Sequence, residues 1–181
     1  MQSLERDRNF ELLMALATGF VLMRSNARLM TAESCTGGLV SHWLTGIAGS
    51  SHWFDGGVVS YANVSKVGFL GVRETTLRMQ GAVSSQTAFE MADGLRRQHR
   101  RFLATPLAHV PDRLFALSVT GIAGPQGGQP KKPVGTVFFG WASPSGVDTE
   151  QRIFSGDRAA IQRCAALWAL SGLVTRVLRG A

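Results

Sequence analysis

The sequence predicts an α/β fold, in which one domain forms three α/β/α layers around a mixed, mostly parallel sheet. Three observations predict it: helical and strand-like patterns alternate along the chain, one strand candidate is apolar almost throughout, and a tight turn joins the last two strand candidates. The chain has 181 residues, of which 45% are hydrophobic and 17% are charged. This length and composition fit a single domain, 1–181, with a substantial core, and they exclude a disordered or fibrous chain.

Apolar spacing and helix-end residues predict the elements of the first half. They are a helix at 5–24, a strand at 28–31, a helix at 39–45, a strand at 54–61 and a helix at 64–70. The first helix rests on apolar residues at the i, i+3, i+4 spacing, namely Phe10, Leu13, Met14, Ala17 and Val21. The turn-rich sequence ESCTGG follows the first strand, and the next helix begins soon after its glycine pair. Gly71 ends the helix at 64–70, because glycine is common just past a helix C-terminus.

The second half is predicted by the same kinds of signal. Its elements are a helix at 85–101, strands at 114–120, 134–142 and 147–154, and a last helix that follows the N-cap Asp157 and runs to about Leu178. The run LFALSVT at 114–120 is typical of a central strand covered on both faces. Charged residues alternate along the strand at 147–154, which indicates an edge strand. The segment 102–112 contains two prolines and is predicted to be a mobile loop.

Signals for targeting and for disulfide bonds are missing from the sequence. The first ten residues are charged and lack the apolar region of a secretory signal, and the apolar run at 12–23 is too short to span a bilayer. Two cysteines, Cys35 and Cys164, do not make a disulfide framework for a domain of this size. Cys164 shares helical spacing with Ile161 and Trp168, which predicts a core position. We therefore expect a cytoplasmic protein with reduced thiols and no membrane association.

The glycines are concentrated in two stretches. Sixteen of the 21 lie in 37–81 and 121–146, and each stretch begins near the end of a predicted strand. Ser34 lies three residues before the first stretch, beside a helix N-terminus whose unpaired N–H groups can hold an anion or an oxyanion. The second stretch, which follows Thr120, matches neither the dinucleotide fingerprint nor the phosphate-binding P-loop motif. Two tight turns at strand ends would explain the same glycines.

The scarcity of lysine singles out one residue. Of the 19 basic side chains 16 are arginine, and the three lysines are Lys66, Lys131 and Lys132. A lysine loses its proton when burial lowers its pKa, whereas an arginine effectively does not. Lys66 follows Tyr61 by five residues and is a candidate general base, with Tyr61 as a proton relay. The alternative is a solvated lysine at the start of a helix.

Five sequence blocks together resemble the CinA C-terminal domain family. In chain order they are AESCTGG at 32–38, GGVVSYANVSKVGFLGV at 56–72, TGIAGPQGG at 120–128, KPVGTVFFG at 132–140 and SGDR at 155–158. They cover most of the chain in the family's order, and the length is similar to the stand-alone form of the family. The enzymatic members of this family are nicotinamide-nucleotide amidases.

The resemblance implies hydrolysis of nicotinamide mononucleotide to nicotinic acid mononucleotide and ammonia, in pyridine nucleotide salvage. It implies a catalytic serine with a tyrosine–lysine pair, at Ser34, Tyr61 and Lys66, and no cofactor or metal. Backbone N–H groups at 35–38 are expected to hold the oxyanion, and the second glycine stretch the phosphate. The expected substrate-binding residues are Cys35, Thr36, Gly37, Gly38, Asn63, Thr120, Gly121, Gly124 and Arg158.

Two alternative sites involve Cys35. It adjoins Ser34 and is a second candidate nucleophile, because a helix N-terminus also lowers a thiol pKa. Cys35 with His42, His52 and Asp55 offers metal-binding side chains, although none of the zinc-ligand spacings is present. We expect Ser34 rather than Cys35 as the nucleophile, and no metal site.

Other classes of function and partner remain open at this stage. A catalytically inactive member that binds a nucleotide or a protein partner is one alternative. Nucleic-acid binding is another, suggested by the net charge of +7 and by the basic residues Arg96, Arg97, His99, Arg100 and Arg101. We expect it less, because cations at a helix C-terminus are favourable by themselves and the aromatic residues of single-strand binders are missing there.

The aromatic residues and the low charge content bear on ligand and subunit contacts. Trp43, Trp53 and Phe54 are candidates to stack on a nicotinamide ring, although a place in the core or in a subunit contact is the more common use. The charged fraction of 17% lies below the usual value of about 25%, which predicts apolar surface covered by another subunit. We therefore expect a homo-oligomer.

Overall fold

Helices and strands alternate through the computed structural model, which describes residues 2–103 and 113–180. The elements of these two stretches are α1 (Gln2–Arg24), β1 (Ala27–Glu33), α2 (Leu39–Thr45), β2 (Phe54–Val59), α3 (Asn63–Leu70), α4 (Glu74–Gln80), α5 (Ser85–Leu103), β3 (Arg113–Gly121), β4 (Thr136–Ser143), β5 (Gly146–Ile153) and α6 (Arg158–Leu178), with a single 3₁₀ turn at Ser50–His52. The predicted α/β fold class is confirmed.

The five strands form one mixed sheet in the order β2-β1-β3-β4-β5. β1 pairs in parallel with both β2 and β3, whereas β4 runs antiparallel to β3 and β5. Four strands therefore point in one direction. Glu33, the last residue of β1, pairs with Val59 on β2 and with Val119 on β3. The carboxyl ends of the three parallel strands thus meet at one edge of the sheet, where ligand sites of open α/β sheets are found.

Helices cover both faces of the sheet, which gives the three predicted layers. α1, α2 and α6 pack on the face that carries Phe115, Phe139 and Trp141. α3 and α5 pack on the opposite face, where the strands present the small side chains of Ala116 and Ala142. The alternation of large and small residues along β3 and β4 follows from the two-residue period of a strand. Small side chains on the second face let α5 lie close to the sheet.

α4 is a helix that the sequence pattern did not predict. Its sequence, ETTLRMQ, has few apolar residues and no helical apolar spacing. A tertiary contact fixes it instead: the Glu90 carboxylate on α5 accepts hydrogen bonds from the Arg73 N–H at 2.9 Å and from Thr76 Oγ1 at 2.8 Å. These contacts hold the start of α4 against α5. A partner 17 residues away gives no local signal in the sequence.

The apolar spacing of α1 does not select its buried face, and one residue of α6 that was predicted in the core is exposed. On α1, Phe10, Leu13 and Ala17 are exposed, and the buried residues between positions 9 and 24 are Ala15, Thr18, Gly19, Val21 and Leu22. α1 is apolar around most of its circumference, so spacing alone does not select the buried face.

On α6, Cys164 was predicted in the core and is exposed. Trp168 is also largely at the surface, where the Arg152 guanidinium lies 4.3 Å from its ring centre. Ile161 is buried as predicted, on a helix face that otherwise consists mainly of alanine and leucine. Small side chains allow this face to lie close to the sheet. The buried face of α6 is therefore marked by small residues and not by the largest apolar ones.

The predicted loop at 102–112 lies, from residue 104 onward, outside the described residues. Within the described stretches, none of the helices combines the length and the apolar character needed to cross a membrane.

The close contact of α5 with α3 predicts opposite effects of two helical glycine substitutions. A Cβ at Gly94 would overlap the Leu70 carbonyl oxygen, whereas a Cβ at Gly68 meets nothing within 4 Å. We expect Gly94→Ala to lower the free energy of unfolding by about 1–3 kcal/mol through overpacking. Gly68→Ala is expected to raise it by about 0.5–1 kcal/mol, because alanine is the better helix former. Urea unfolding of both variants measures this, and equal changes of the same sign would contradict the packing described.

Candidate active site

Ser34 is the first residue after β1 and lies in a tight turn that leads into α2. Its N–H donates to the Val119 carbonyl at 2.9 Å, which continues the pairing with β3, and its own carbonyl accepts from the Gly37 N–H at 3.1 Å. Gly37 and Gly38 complete the turn with φ values of 65° and 99°, a backbone region that favours glycine. Ser34 is buried, with 8% of its surface exposed. The turn therefore presents its hydroxyl to an enclosed space.

Lys66 lies on α3 with its amine directly against Ser34. The side chain is only 1% exposed. Nζ lies 2.9 Å from Ser34 Oγ, 2.7 Å from the Ser60 carbonyl oxygen and 3.3 Å from the Tyr61 carbonyl oxygen. Burial lowers the pKa of Lys66 below its ordinary value, and the nearby Cys35 thiol opposes this only in part.

The three contacts of Lys66 suit both protonation states. A protonated amine has three N–H groups and three acceptors here. A neutral amine has two N–H groups, which the carbonyls of Ser60 and Tyr61 can accept, and its lone pair then faces the Ser34 hydroxyl. Lys66 is thus placed to take the Ser34 proton without moving.

A cavity of about 180 Å³ opens beside the Ser34–Lys66 pair. Its lining residues come from the ends of β1, β2 and β3, from the starts of α3 and α6 and from the segment between α4 and α5: Ser34, Cys35, Tyr61, Asn63, Lys66, Ala82, Val83, Thr120, Gly121, Ala123 and Arg158. Eight of the 12 predicted site residues are among them. Four are not, namely Thr36, Gly37, Gly38 and Gly124. The lining carries Lys66 and Arg158 and, within the described residues, no carboxylate, which suits an anionic ligand.

Arg158 and Tyr61 form the mouth of the cavity. Arg158 follows the N-cap Asp157, whose side chain accepts from the Ala160 N–H at 2.8 Å. Its guanidinium donates to Tyr61 Oη and to the Gly124 carbonyl, each at 2.9 Å. The Tyr61 ring is 60% exposed. Tyr61 thus reaches Lys66 through its backbone carbonyl, while its hydroxyl is held by Arg158 and not by the serine–lysine pair.

Two threonines of the predicted site differ in their hydrogen bonding. Thr120 Oγ1 donates to the Ala82 carbonyl at 2.7 Å, so this hydroxyl is already used within the protein. Thr36 Oγ1 is buried and has no hydrogen-bond partner among the described residues. An unsatisfied buried hydroxyl is uncommon in proteins. Thr36 lies two residues after Ser34, close to the reacting group.

Glu33 is a residue of the site that the sequence interpretation missed. Its carboxylate accepts from the N–H groups of Gly38, Val40 and Ser41 at 3.1, 3.1 and 2.8 Å. Unpaired N–H groups were predicted at 35–38. For two of them this was wrong, because the Gly38 N–H donates to the Glu33 carboxylate and the Gly37 N–H donates to the Ser34 carbonyl. Within the described chain, the N–H groups of residues 35 and 36 have no acceptor on another residue. A signal was available: an acidic residue ends a buried strand just before a glycine-rich helix start.

Cys35 does not have the properties of a nucleophile. It is buried, and burial raises the pKa of its thiol to about 12, against smaller lowering effects that include the Lys66 charge. The reactive form of cysteine is the thiolate. Its carbonyl accepts from Gln162 Nε2 on α6 at 2.7 Å, which ties the turn to the last helix. Cys35 therefore contributes packing and backbone to the cavity wall.

The proposed metal ligands are used elsewhere. Asp55 binds Arg28 and the buried His99, and their hydrogen bonds lower its pKa although burial raises it. His52 Nδ1 lies 2.9 Å from the Gly49 carbonyl, within its own turn. The described part of the chain contains no group of three or more His, Cys, Asp or Glu side chains able to hold a metal.

Trp53 and Phe54 lie in the hydrophobic core, and Trp43 packs against it, as the more common use of aromatic residues predicts. None of the three lines the cavity.

The basic cluster at the end of α5 is largely used within the protein. Arg96 Nε donates to the Leu114 carbonyl at 3.1 Å, and Arg97 forms an ion pair with Asp93 at 3.1 Å. His99 is buried against Asp55. Arg100 and Arg101 are exposed, so the cluster is divided between residues bonded within the protein and residues at the surface.

Fold and site together define an α/β protein whose buried serine–lysine pair lies at the carboxyl ends of parallel strands. The model of the CinA C-terminal domain family matches residues 13–177. The chain belongs to the CinA C-terminal domain family, as its motifs predicted.

Curated relatives and solved structures agree with this assignment. The nicotinamide-nucleotide amidohydrolase PncC of Enterobacter agglomerans is 49% identical over 140 residues, 77% of this chain and 78% of that protein. The protein of the same name from Escherichia coli K12 is 44% identical over 162 residues, 89% of this chain and 91% of that protein.

Among solved structures, the competence damage-inducible protein A of Klebsiella pneumoniae is 30% identical with a TM-score of 0.84, over 94% of this chain and 99% of that chain. The competence/damage inducible protein CihA of Agrobacterium tumefaciens is 38% identical with a TM-score of 0.80, over 92% and 94%.

The thiol environments predict selective alkylation. With a pKa of about 12, only about 10⁻⁴ of Cys35 is thiolate at pH 8, and the residue is buried. We expect iodoacetamide to modify the exposed Cys164 and to leave Cys35 intact in the folded protein. Peptide mass spectrometry measures this, and alkylation of both cysteines in urea is the control. Modification of native Cys35 as fast as Cys164 would revive the cysteine nucleophile.

Proposed function

We propose that this protein is a cytoplasmic amidohydrolase of pyridine nucleotide salvage, which converts nicotinamide mononucleotide and water to nicotinic acid mononucleotide and ammonia. The observation that carries the proposal is the buried Lys66 amine, 2.9 Å from Ser34 Oγ and held by two carbonyls. The names of relatives that are 41–49% identical supply the substrate. The serine–lysine geometry supplies the chemistry.

Acylation of Ser34 is the first half of the proposed reaction. Neutral Lys66 takes the hydroxyl proton as Ser34 Oγ attacks the carboxamide carbon. The N–H groups of residues 35 and 36, which have no acceptor on another described residue, are placed to stabilise the oxyanion. One such donor contributes about 3–4 kcal/mol in a well-studied enzyme. Protonated Lys66 then gives its proton to the departing nitrogen, and ammonia leaves an ester on Ser34.

Hydrolysis of the ester completes the cycle. Water attacks the acyl carbon and passes a proton to Lys66, which returns it to Ser34 Oγ as the acid product leaves. Lys66 therefore alternates between neutral and protonated forms twice in each turnover. Its three fixed contacts serve both forms.

The shape of the cavity suggests how the nucleotide lies. About 180 Å³ is less than the 300–1,000 Å³ of a pocket that encloses a whole small ligand. We infer that the carboxamide end enters toward Ser34 and that the phosphate stays at the mouth, near Arg158. Arg158 would exchange its hydrogen bond to the exposed Tyr61 for the phosphate oxygens, a favourable charged contact. Asn63, Thr120 and Gly121 line the cavity between these two ends.

The test compares two site variants with matched controls. We expect Ser34→Ala and Lys66→Met to retain less than about 1% of the ammonia release from nicotinamide mononucleotide, because removing the nucleophile or its base costs several orders of magnitude. Ser171→Ala and Lys131→Met change the same residue types at exposed positions and should keep wild-type rates. Circular dichroism confirms folding. Wild-type turnover in Ser34→Ala would refute the serine mechanism.

The role of Lys66 as the base also determines the direction in which kcat/KM changes with pH. Only the neutral amine accepts a proton, so kcat/KM rises with pH as Lys66 deprotonates. Because its pKa is lowered, the plateau begins below the ordinary lysine value of about 10.4. If wild-type protein binds the nucleotide without releasing ammonia at any pH, it is a nucleotide-binding protein and not an amidase.

We further propose that the protein is a homo-oligomer associated through α1. Five large apolar side chains on one side of this helix are between 45% and 61% exposed: Leu12, Leu13, Leu16, Phe20 and Met23. Exposed apolar patches of this kind are rare on monomers. The five residues of this face are uncharged, and the Arg24 guanidinium lies beside them, 5.8 Å from the centre of the Phe20 ring.

Charge placed on this face is expected to dissociate the oligomer. Leu16→Glu combined with Phe20→Glu should reduce the mass measured by light scattering to that of the 19.5 kDa chain. Met79→Glu changes an equally apolar and more exposed residue on α4 and should leave the mass unchanged. A wild-type mass of one chain would refute the proposal.

A further inference from the structure

Glu33 joins the nucleophile turn to its surroundings at four points. The side chain is buried, with 1% of its surface exposed. Oε2 accepts from the N–H groups of Gly38 and Val40, and Oε1 accepts from the N–H of Ser41 at 2.8 Å and from its hydroxyl at 2.7 Å. The Ser41 hydroxyl lies 2.7 Å from Thr31 Oγ1, on β1 itself. The Glu33 carboxylate therefore ties the start of α2, which follows the turn at 34–38, to β1, which precedes it.

The backbone of Glu33 extends this network to the base. Its carbonyl accepts the N–H of Ser60 at 2.8 Å, as β1 pairs with the end of β2. The carbonyl of Ser60 in turn accepts from Lys66 Nζ at 2.7 Å. One residue thus connects the turn that carries Ser34 with the acceptor that orients the amine.

We propose that Glu33 is the positioning residue of the site. Its carboxylate holds the start of α2 against β1, and this fixes the turn so that Ser34 Oγ stays within hydrogen-bond distance of Lys66. The Glu33 carboxylate is not among the described groups that bond the amine or line the cavity, so it acts through the turn that carries Ser34. The inference rests on the proposed serine–lysine chemistry.

Replacing one carboxylate oxygen by an amide shows why the geometry depends on Glu33. In Glu33→Gln, the NH₂ group must face either the N–H groups of Gly38 and Val40 or the N–H of Ser41. A donor then meets a donor in either orientation, and at least one buried N–H loses its acceptor. We expect the turn to shift. A displacement of about 1 Å at a reacting group lowers a rate by as much as 10²-fold.

Glu90 provides a matched control. It is also buried, and its carboxylate also holds a helix start, through the Arg73 N–H and Thr76 Oγ1, with a further hydrogen bond from Gln86. Burial raises the pKa of Glu90, but these bonds and the ion pair with the Arg73 guanidinium outweigh it and lower the pKa to about 2. It does not line the cavity. Glu90→Gln therefore disturbs the same kind of contact away from the site.

The experiment compares kcat, KM and serine reactivity in the two variants. For Glu33→Gln we expect kcat to fall about ten- to a hundredfold and KM to change less than about threefold, because the residues that contact the nucleotide remain. Labelling by a fluorophosphonate probe, in which Ser34 Oγ bonds to phosphorus and fluoride leaves, should slow in proportion. Glu90→Gln should keep kcat and labelling within about twofold of wild type, although its melting temperature also falls.

A wild-type kcat in Glu33→Gln, or an equal loss in Glu90→Gln, would overturn the proposal. If Glu33→Gln does not fold, Glu33→Asp retains the charge but is one methylene shorter, and a wild-type kcat there overturns it equally. If the wild-type protein releases no ammonia from nicotinamide mononucleotide, the proposed function fails. The probe still compares Ser34 reactivity between variants, and equal labelling of wild type and Glu33→Gln then refutes the positioning role.

Discussion

The parallel register of β1 with its two neighbours is the constraint on which the site depends. The last residue of β1 pairs with Val59 and with Val119, so three strands end at the same level. Ser34 and Ser60 directly follow β1 and β2, and Thr120 is the last residue but one of β3, so the three are brought together although they are far apart in the sequence. Because side chains alternate along a strand, a slip of one residue in β2 would reverse its faces and move the Ser60 carbonyl away from the amine. The strand register thus determines where the backbone groups around Ser34 and the Lys66 amine lie.

Given this strand register, the loss of hydration on burial makes Lys66 easier to deprotonate. A buried amine favours its neutral form, because the charged form loses more hydration free energy. Such burial would be costly with unsatisfied N–H groups, and the carbonyls of Ser60 and Tyr61 satisfy them. Since both belong to the backbone next to β2, the sheet and the base are stabilised together. These two carbonyls occupy two of the three hydrogen-bonding positions of the Lys66 amine, and the third faces Ser34 Oγ.

Strong local patterns made much of this predictable, and long-range contacts explain the remainder. The strand at 114–120 and the turn after β1 follow from composition and glycine placement, and the rarity of lysine singled out Lys66. The contacted face of α1 did not follow, since that helix is apolar nearly all round and only its neighbours choose a side. The start of α4 is held by hydrogen bonds to Glu90. The hydroxyl of Tyr61 is held by Arg158, 97 residues later. Side-chain partners at such separations leave no periodic signal.

The start of α2 shows how the fold changes what a motif can do. A serine at a helix N-terminus suggests that free N–H groups and the helix dipole stabilise an oxyanion. Here the Glu33 carboxylate already occupies that position, so the dipole is used to hold the turn together. In the proposed reaction, negative charge that develops on the substrate is therefore met by the peptide groups at 35–36 and by the side chains of Lys66 and Arg158. The described lining of the cavity has no carboxylate, because the Glu33 side chain is bonded to the start of α2 instead.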